Sequence, residues 1–126
     1  MFSEITANQF QQKVLENTKP CVVDVYTKRC SKCKILAPIF KQTAEDNQAT
    51  YDFFMLNAHD YIEITRRYKV LGVPALLFFC HGIVVDKKTG VISQDKIEKR
   101  LKPLLDYTEA IAKKKEVKGY FKLPWK

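Results

Sequence analysis

Residues 21–26 read Cys-Val-Val-Asp-Val-Tyr, an apolar, β-rich run broken only by Asp24. A run of that kind is buried on both faces, so it belongs in the middle of a sheet with helices packed above and below. A short polar loop, Thr27 to Arg29, leads from it to Cys30-Ser31-Lys32-Cys33. A C-x-x-C between a strand and a helix is a dithiol able to cycle to a disulfide. The helix start places partial positive charge on the first sulfur and favours its thiolate, the reactive species in thiol–disulfide exchange.

The rest of the chain supplies the layers that such a strand needs. Thr6-Ala7-Asn8 reads as a helix start, with Phe10, Val14 and Leu15 as its apolar stripe, and Asn17-Thr18-Lys19-Pro20 ends it. Over 31–47, Ile35, Leu36, Ile39, Phe40 and Ala44 recur at helical spacing, with Pro38 predicting a kink. Strands are expected over 51–56 and 75–80, with a short helix over 61–68 between them. His81-Gly82 predicts a tight turn, and Ile83-Val84-Val85 returns as a hairpin partner. Ser93 can cap a last helix that turns Ile97, Leu101, Leu104 and Leu105 inward. The order α, β, α, β, α, β, β, α predicts an α/β fold, a central mixed sheet with helices on both faces.

The 126 residues suit one domain with a real core, and no stretch approaches a membrane-spanning length. Met1-Phe2-Ser3-Glu4-Ile5-Thr6 lacks a basic region followed by an apolar run, so no secretory signal is expected. Four cysteines are too few for a disulfide scaffold, and a reducing, cytoplasmic location is expected. The net charge of +8 reads first as a solvated lysine face. No nucleic-acid motif accompanies it, and neither nucleic acid nor membrane is expected as a partner.

C-x-x-C is also half of a four-ligand zinc site. The remaining candidates are Cys21, Cys80, His59 and His81, and none forms a second C-x-x-C or an H-x-x-x-H. Cys21 opens an apolar strand and is expected in the core. No metal is expected.

With these residues in place, the chain resembles the thioredoxin family from about Ser3 to Leu105. The likeness rests on Val23-Asp24-Val25-Tyr26-Thr27-Lys28-Arg29-Cys30-Ser31-Lys32-Cys33-Lys34, then Ala37-Pro38, Leu56-Asn57, Gly72-Val73-Pro74-Ala75, Leu76-Leu77-Phe78-Phe79, Gly82 and Gly90. The resemblance implies a thioredoxin fold and a thiol–disulfide oxidoreductase that needs no bound cofactor. Cys30 would attack a substrate disulfide and Cys33 would resolve the mixed disulfide. Asp24 would be a buried carboxylate that takes the Cys33 proton. Pro74 matches the family's cis-proline facing the sulfurs, and Val73 would offer backbone groups to an extended substrate. Tyr26, Arg29, Ser31, Lys32 and Gly90 complete the expected substrate contacts. Expected partners are disulfide-containing proteins and a recycling reductase or dithiol donor, with the protein itself a monomer.

Several positions depart from the family pattern. Ser31-Lys32 replaces Gly-Pro between the cysteines, and Arg29 stands where a tryptophan is usual. Lys28, Arg29, Lys32 and Lys34 surround the dithiol with positive charge. Cations stabilise the thiolate of the reduced form, so a couple less reducing than a typical thioredoxin is expected. Met55 replaces the family's lysine near the buried aspartate, which should raise the Asp24 pKa further. Ala75 replaces threonine after the proline.

The sequence divides into a thioredoxin-like domain over 1–106 and a basic, aromatic extension over 107–126. Pro103 should break or kink the last helix, or begin a new one. Leu104, Tyr107, Thr108 and Ile111 then offer one face. The extension holds six lysines and two glutamates, half the net charge, together with Tyr120, Phe121, Leu123 and Trp125. Those side chains either pack back on the domain or bind a partner. An alternative reading is therefore a redox-inactive thioredoxin-like adaptor that docks through its tail.

Overall fold

Strand β2 (Cys21–Tyr26) is the middle of a five-stranded sheet. It runs parallel to β3 (Asp52–Asn57) on one side and antiparallel to β4 (Ala75–Cys80) on the other. β1 (Phe2–Glu4) pairs parallel with the outer side of β3, and β5 (Ile83–Thr89) pairs antiparallel with β4. This computed structural model describes residues 2–117. Tyr120, Phe121, Leu123 and Trp125 lie outside the described residues.

The mixed sheet has helices on both faces, as the strand–helix alternation implies. All of Cys21–Val25 and all of β4 are buried, because both faces of the central strands are covered. On one face, α1 (Ala7–Phe10) continues as a π-helical turn, Gln11–Leu15, and packs beside α3 (Ile62–Arg67). Phe10, Tyr68 and Phe79 meet there with ring centroids 5.3–5.7 Å apart. On the other face, α2 (Ser31–Asn47) and α4 (Gln94–Leu101) press Leu36, Phe40, Ile97 and Leu101 onto Val22, Phe53, Leu76 and Phe78. Burying each of these side chains stabilises the fold by about 1.5–3 kcal/mol.

The β4–β5 hairpin turns at His81 and Gly82, both with positive φ, 55° and 75°, the geometry that suits a two-residue hairpin loop. A Cβ on Gly82 would lie 2.3 Å from the carbonyl oxygen of Leu15. The turn is therefore seated on the end of the first helical segment.

Several expectations are corrected. The chain opens with β1, three residues too short to show an alternating pattern and held by pairing with β3. The apolar stripe of α2 is Cys33, Leu36, Phe40 and Ala44, while Ile35 is 57% exposed. After α4 the chain tightens into a 3₁₀ turn, Lys102–Asp106, with Pro103 in its first turn. Three residues per turn set Leu104 under Leu101 and rotate Leu105 outward, leaving it 51% exposed. A further helix, α5 (Glu109–Lys115), follows the Thr108 N-cap, whose hydroxyl accepts from the Ile111 N–H at 3.2 Å. Its buried residue is Ala112, and Ile111 is on the exposed side. His81 Nε2 donates to the Tyr107 carbonyl at 2.7 Å, and the Val117 N–H donates to the Val84 carbonyl at 2.9 Å. The described part of the extension thus packs on the hairpin. Among the described residues no helix is long and apolar enough to cross a membrane.

Candidate active site

Cys30 is the N-cap of α2. Its backbone is extended (φ −85°, ψ 117°), and its Sγ accepts from the Cys33 N–H at 3.2 Å. A cap side chain normally reaches the amide three residues on. C-x-x-C spacing therefore puts the first sulfur on an unpaired helix amide and the second on the same helical turn. Cys30 is half-buried at the surface, and Cys33 is buried beneath it.

The two thiols differ in acidity. A hydrogen bond from the Cys33 side chain holds the Cys30 thiol below its ordinary value, aided by the backbone N–H groups of Cys33 and Lys32 and by the Lys32 charge. Burial pushes Cys33 up to about 12, helped by its hydrogen bond to Cys30, while a backbone hydrogen bond at Thr27 opposes the rise. One sulfur is set up as a thiolate and the other is held as a thiol.

Asp24 lies on β2 on the face covered by α2. It is fully buried, and neither carboxyl oxygen has a hydrogen-bond partner. Its neighbours in register are Met55 on β3 and Leu76 on β4, and neither side chain offers a strong donor. Burial first, and then the charge of Glu4, raise its pKa to about 7. The negative charge of Asp24 is in turn one of the causes that raise Cys33, which puts the carboxyl within electrostatic reach of the second sulfur.

The Val73–Pro74 peptide bond is cis, and the Val73 carbonyl oxygen lies 3.7 Å from Cys30 Sγ. Pro74 is buried and Val73 half-buried. Gly90, with φ +96°, donates its N–H to the Pro74 carbonyl at 2.9 Å, so it meets the site through the proline. Arg29, Ser31 and Lys32 are exposed around Cys30. Tyr26 is half-buried, and its hydroxyl donates to Glu4 Oε1 at 2.8 Å. Glu4 is the site residue that the sequence did not expose. It sits on the unforeseen strand β1, level with Met55 and therefore in the same row as Asp24. Burial raises the Glu4 pKa, while the Tyr26 hydrogen bond and the charge of Lys28 oppose that rise.

The other cysteines stand apart from this chemistry. Cys21 and Cys80 are buried, and Cys80 Sγ lies 3.4 Å from the Leu104 carbonyl oxygen. Among the described residues no group of three or more His, Cys, Asp or Glu side chains could hold a metal ion.

Residues 1–103 match the Thioredoxin family. The thioredoxin of Mycoplasmoides gallisepticum is 33% identical over 98 residues, covering 78% of this chain and 97% of that protein. Pseudomonas aeruginosa thioredoxin is 31% identical over 93 residues, 74% of this chain and 86% of its own length. Mitochondrial thioredoxin of Bos taurus is 31% identical over 96 residues, 76% of this chain and 58% of that protein. With the mixed sheet, the Cys30 helix cap and the cis-proline beside it, these likenesses place the chain in the thioredoxin family, whose members are thiol–disulfide oxidoreductases.

Proposed function

We propose that this protein reduces or exchanges disulfides in protein substrates through Cys30 and Cys33. The Cys30 thiolate attacks one sulfur of the substrate disulfide. That S–S bond breaks, the other substrate sulfur leaves as a thiolate and takes a proton, and a mixed disulfide joins substrate to Cys30. Ionised Asp24 then takes the Cys33 proton. The Cys33 thiolate attacks Cys30 Sγ and expels the second substrate sulfur as a thiolate, which takes a proton in turn. The substrate gains two electrons and the protein is left with a Cys30–Cys33 disulfide. A dithiol donor or reductase returns it to the dithiol, and no bound cofactor takes part.

The observation that carries this reading is the placement of two thiols on one helical turn, Cys30 half-buried with its Sγ on the Cys33 N–H at 3.2 Å and 3.7 Å from the Val73 carbonyl oxygen, and Cys33 buried beneath it, an arrangement that lowers the first thiol's pKa and raises the second's. An extended substrate would lie against Val73 and Pro74, with Tyr26, Arg29, Ser31, Lys32 and Gly90 around it. Lys32 favours the thiolate and hence the reduced form, which supports a couple less reducing than a typical thioredoxin. The reading suits a monomer in a reducing, cytoplasmic compartment, where thiol reductants regenerate the dithiol.

Two assays test it. The reduced protein should cleave the interchain disulfides of insulin in the presence of a dithiol donor. Cys33→Ser should accumulate covalent complexes in lysate that reductant releases, and the double variant that also lacks Cys30 should trap nothing. No insulin reduction, with equal trapping by the two variants, would favour a redox-inactive adaptor.

A further inference from the structure

The residues flanking the dithiol are rich in cations: the Lys32 charge acts on Cys30, and Lys28 acts on Glu4 at longer range without closing an ion pair. Between Asp24 and Glu45 the chain carries Lys28, Arg29, Lys32, Lys34 and Lys41 and no acidic residue. Lys28, Arg29, Lys32 and Lys34 are all exposed. Elsewhere on the surface, Lys19, Lys99, Arg100 and Lys113 form ion pairs. Among the described residues none of the four around Cys30 does so. Glu4 lies to the β1 side, where it accepts from Tyr26. On the flank of the cis-proline, Leu71 is 86% exposed and Val73 is half-buried.

From this local excess of positive charge, and resting on the oxidoreductase reading above, we infer the substrate class: protein disulfides whose attacked cysteine is flanked by aspartate or glutamate. Backbone groups at Val73 hold an extended strand whatever its side chains, so they carry no preference. The cations do. Acidic flanks ordinarily slow attack by a thiolate, because like charges must approach. Lys28, Arg29, Lys32 and Lys34 reverse that penalty and draw the acidic segment in. A lysine-flanked disulfide meets the same four charges as repulsion.

The test uses three synthetic disulfide peptides of one length, with glutamate, glutamine or lysine on both sides of the cysteine. Second-order rate constants are measured for the reduced full-length protein at about 20 mM and about 500 mM salt, where screening is weak and strong. At low salt the glutamate peptide should react at least about tenfold faster than the lysine peptide, the lower end of what electrostatic steering delivers. The ratio should fall towards unity at high salt. In a Lys28→Glu, Lys34→Glu double variant, with Lys32 still beside the nucleophile, the order at low salt should invert. Each comparison is a ratio within one protein, so a lower folded fraction cancels. Equal rates for the three peptides, or an unchanged ratio in the double variant, overturn the acidic preference and leave the oxidoreductase reading standing. Failure to reduce any of the peptides overturns both.

Discussion

The Cys33 N–H donates to Cys30 Sγ at 3.2 Å, and the Cys33 thiol beside it lowers the Cys30 pKa more than the Lys32 charge does. Cys33→Ala removes the thiol donor and keeps the amide. The Cys30 pKa should rise in that variant and still stay below ~8.5, the free-cysteine value. Alkylation rate against pH reads this directly. A Cys30 titration that does not move would assign the acidity to the helix end alone.

Asp24 makes stability depend on pH with a defined sign. Its folded pKa of about 7 lies above the ordinary carboxylate value. The native state therefore binds more protons than the unfolded chain, and stability falls as pH rises between those two values. The full loss is about 4 kcal/mol, reached above pH ~7. Asp24→Asn should remove this slope and be more stable than the wild type at pH 8. The same variant should resolve mixed disulfides more slowly. Urea denaturation from pH 4 to 8, with single-turnover reduction at pH 8, checks both.

Lys32 should set the potential of the couple. Lys32→Gln withdraws a cation from the reduced form, so the potential should become more negative. A change of ~1.4 kcal/mol corresponds to ~30 mV for a two-electron couple, and an exposed lysine should supply no more than that. Equilibration with glutathione measures it. A more positive potential would contradict the electrostatic account.

Gly82→Ala should destabilise the domain without touching the site. The position has φ +75° and would place a Cβ 2.3 Å from the Leu15 carbonyl oxygen, a backbone atom that cannot rotate away. Strain of ~1–3 kcal/mol from the backbone conformation alone is expected, with the clash in addition. The denaturation midpoint should fall with its slope unchanged.

The central features were legible because local chemistry and global position agree there. The run Cys21–Tyr26 is apolar enough to require two covered faces, and helices cover both. The C-x-x-C spacing is the spacing of a helix cap, and the cap forms. What escaped was set by tertiary pairing. Phe2-Ser3-Glu4 carries no pattern of its own and becomes a strand only against Phe53-Phe54-Met55. Glu4, its bond to Tyr26 and its charge beside Asp24 were hidden for the same reason. Leu105 turns outward because the 3.6-residue period ends at Leu101, where the chain tightens to three residues per turn. Ile35 shares helical spacing with the core stripe yet lies at its margin and points to solvent.

Val117, beyond the residues that match the family, donates its N–H to the carbonyl of Val84 within them. β5 is the last strand of the sheet, and Val84 is one of its ladder positions. An open strand border is a template onto which a second chain can add. Here the protein's own C-terminal segment occupies that carbonyl, with α5 laid along the hairpin before it. The extension thus takes up one backbone acceptor on a border that would otherwise stand open to a second chain.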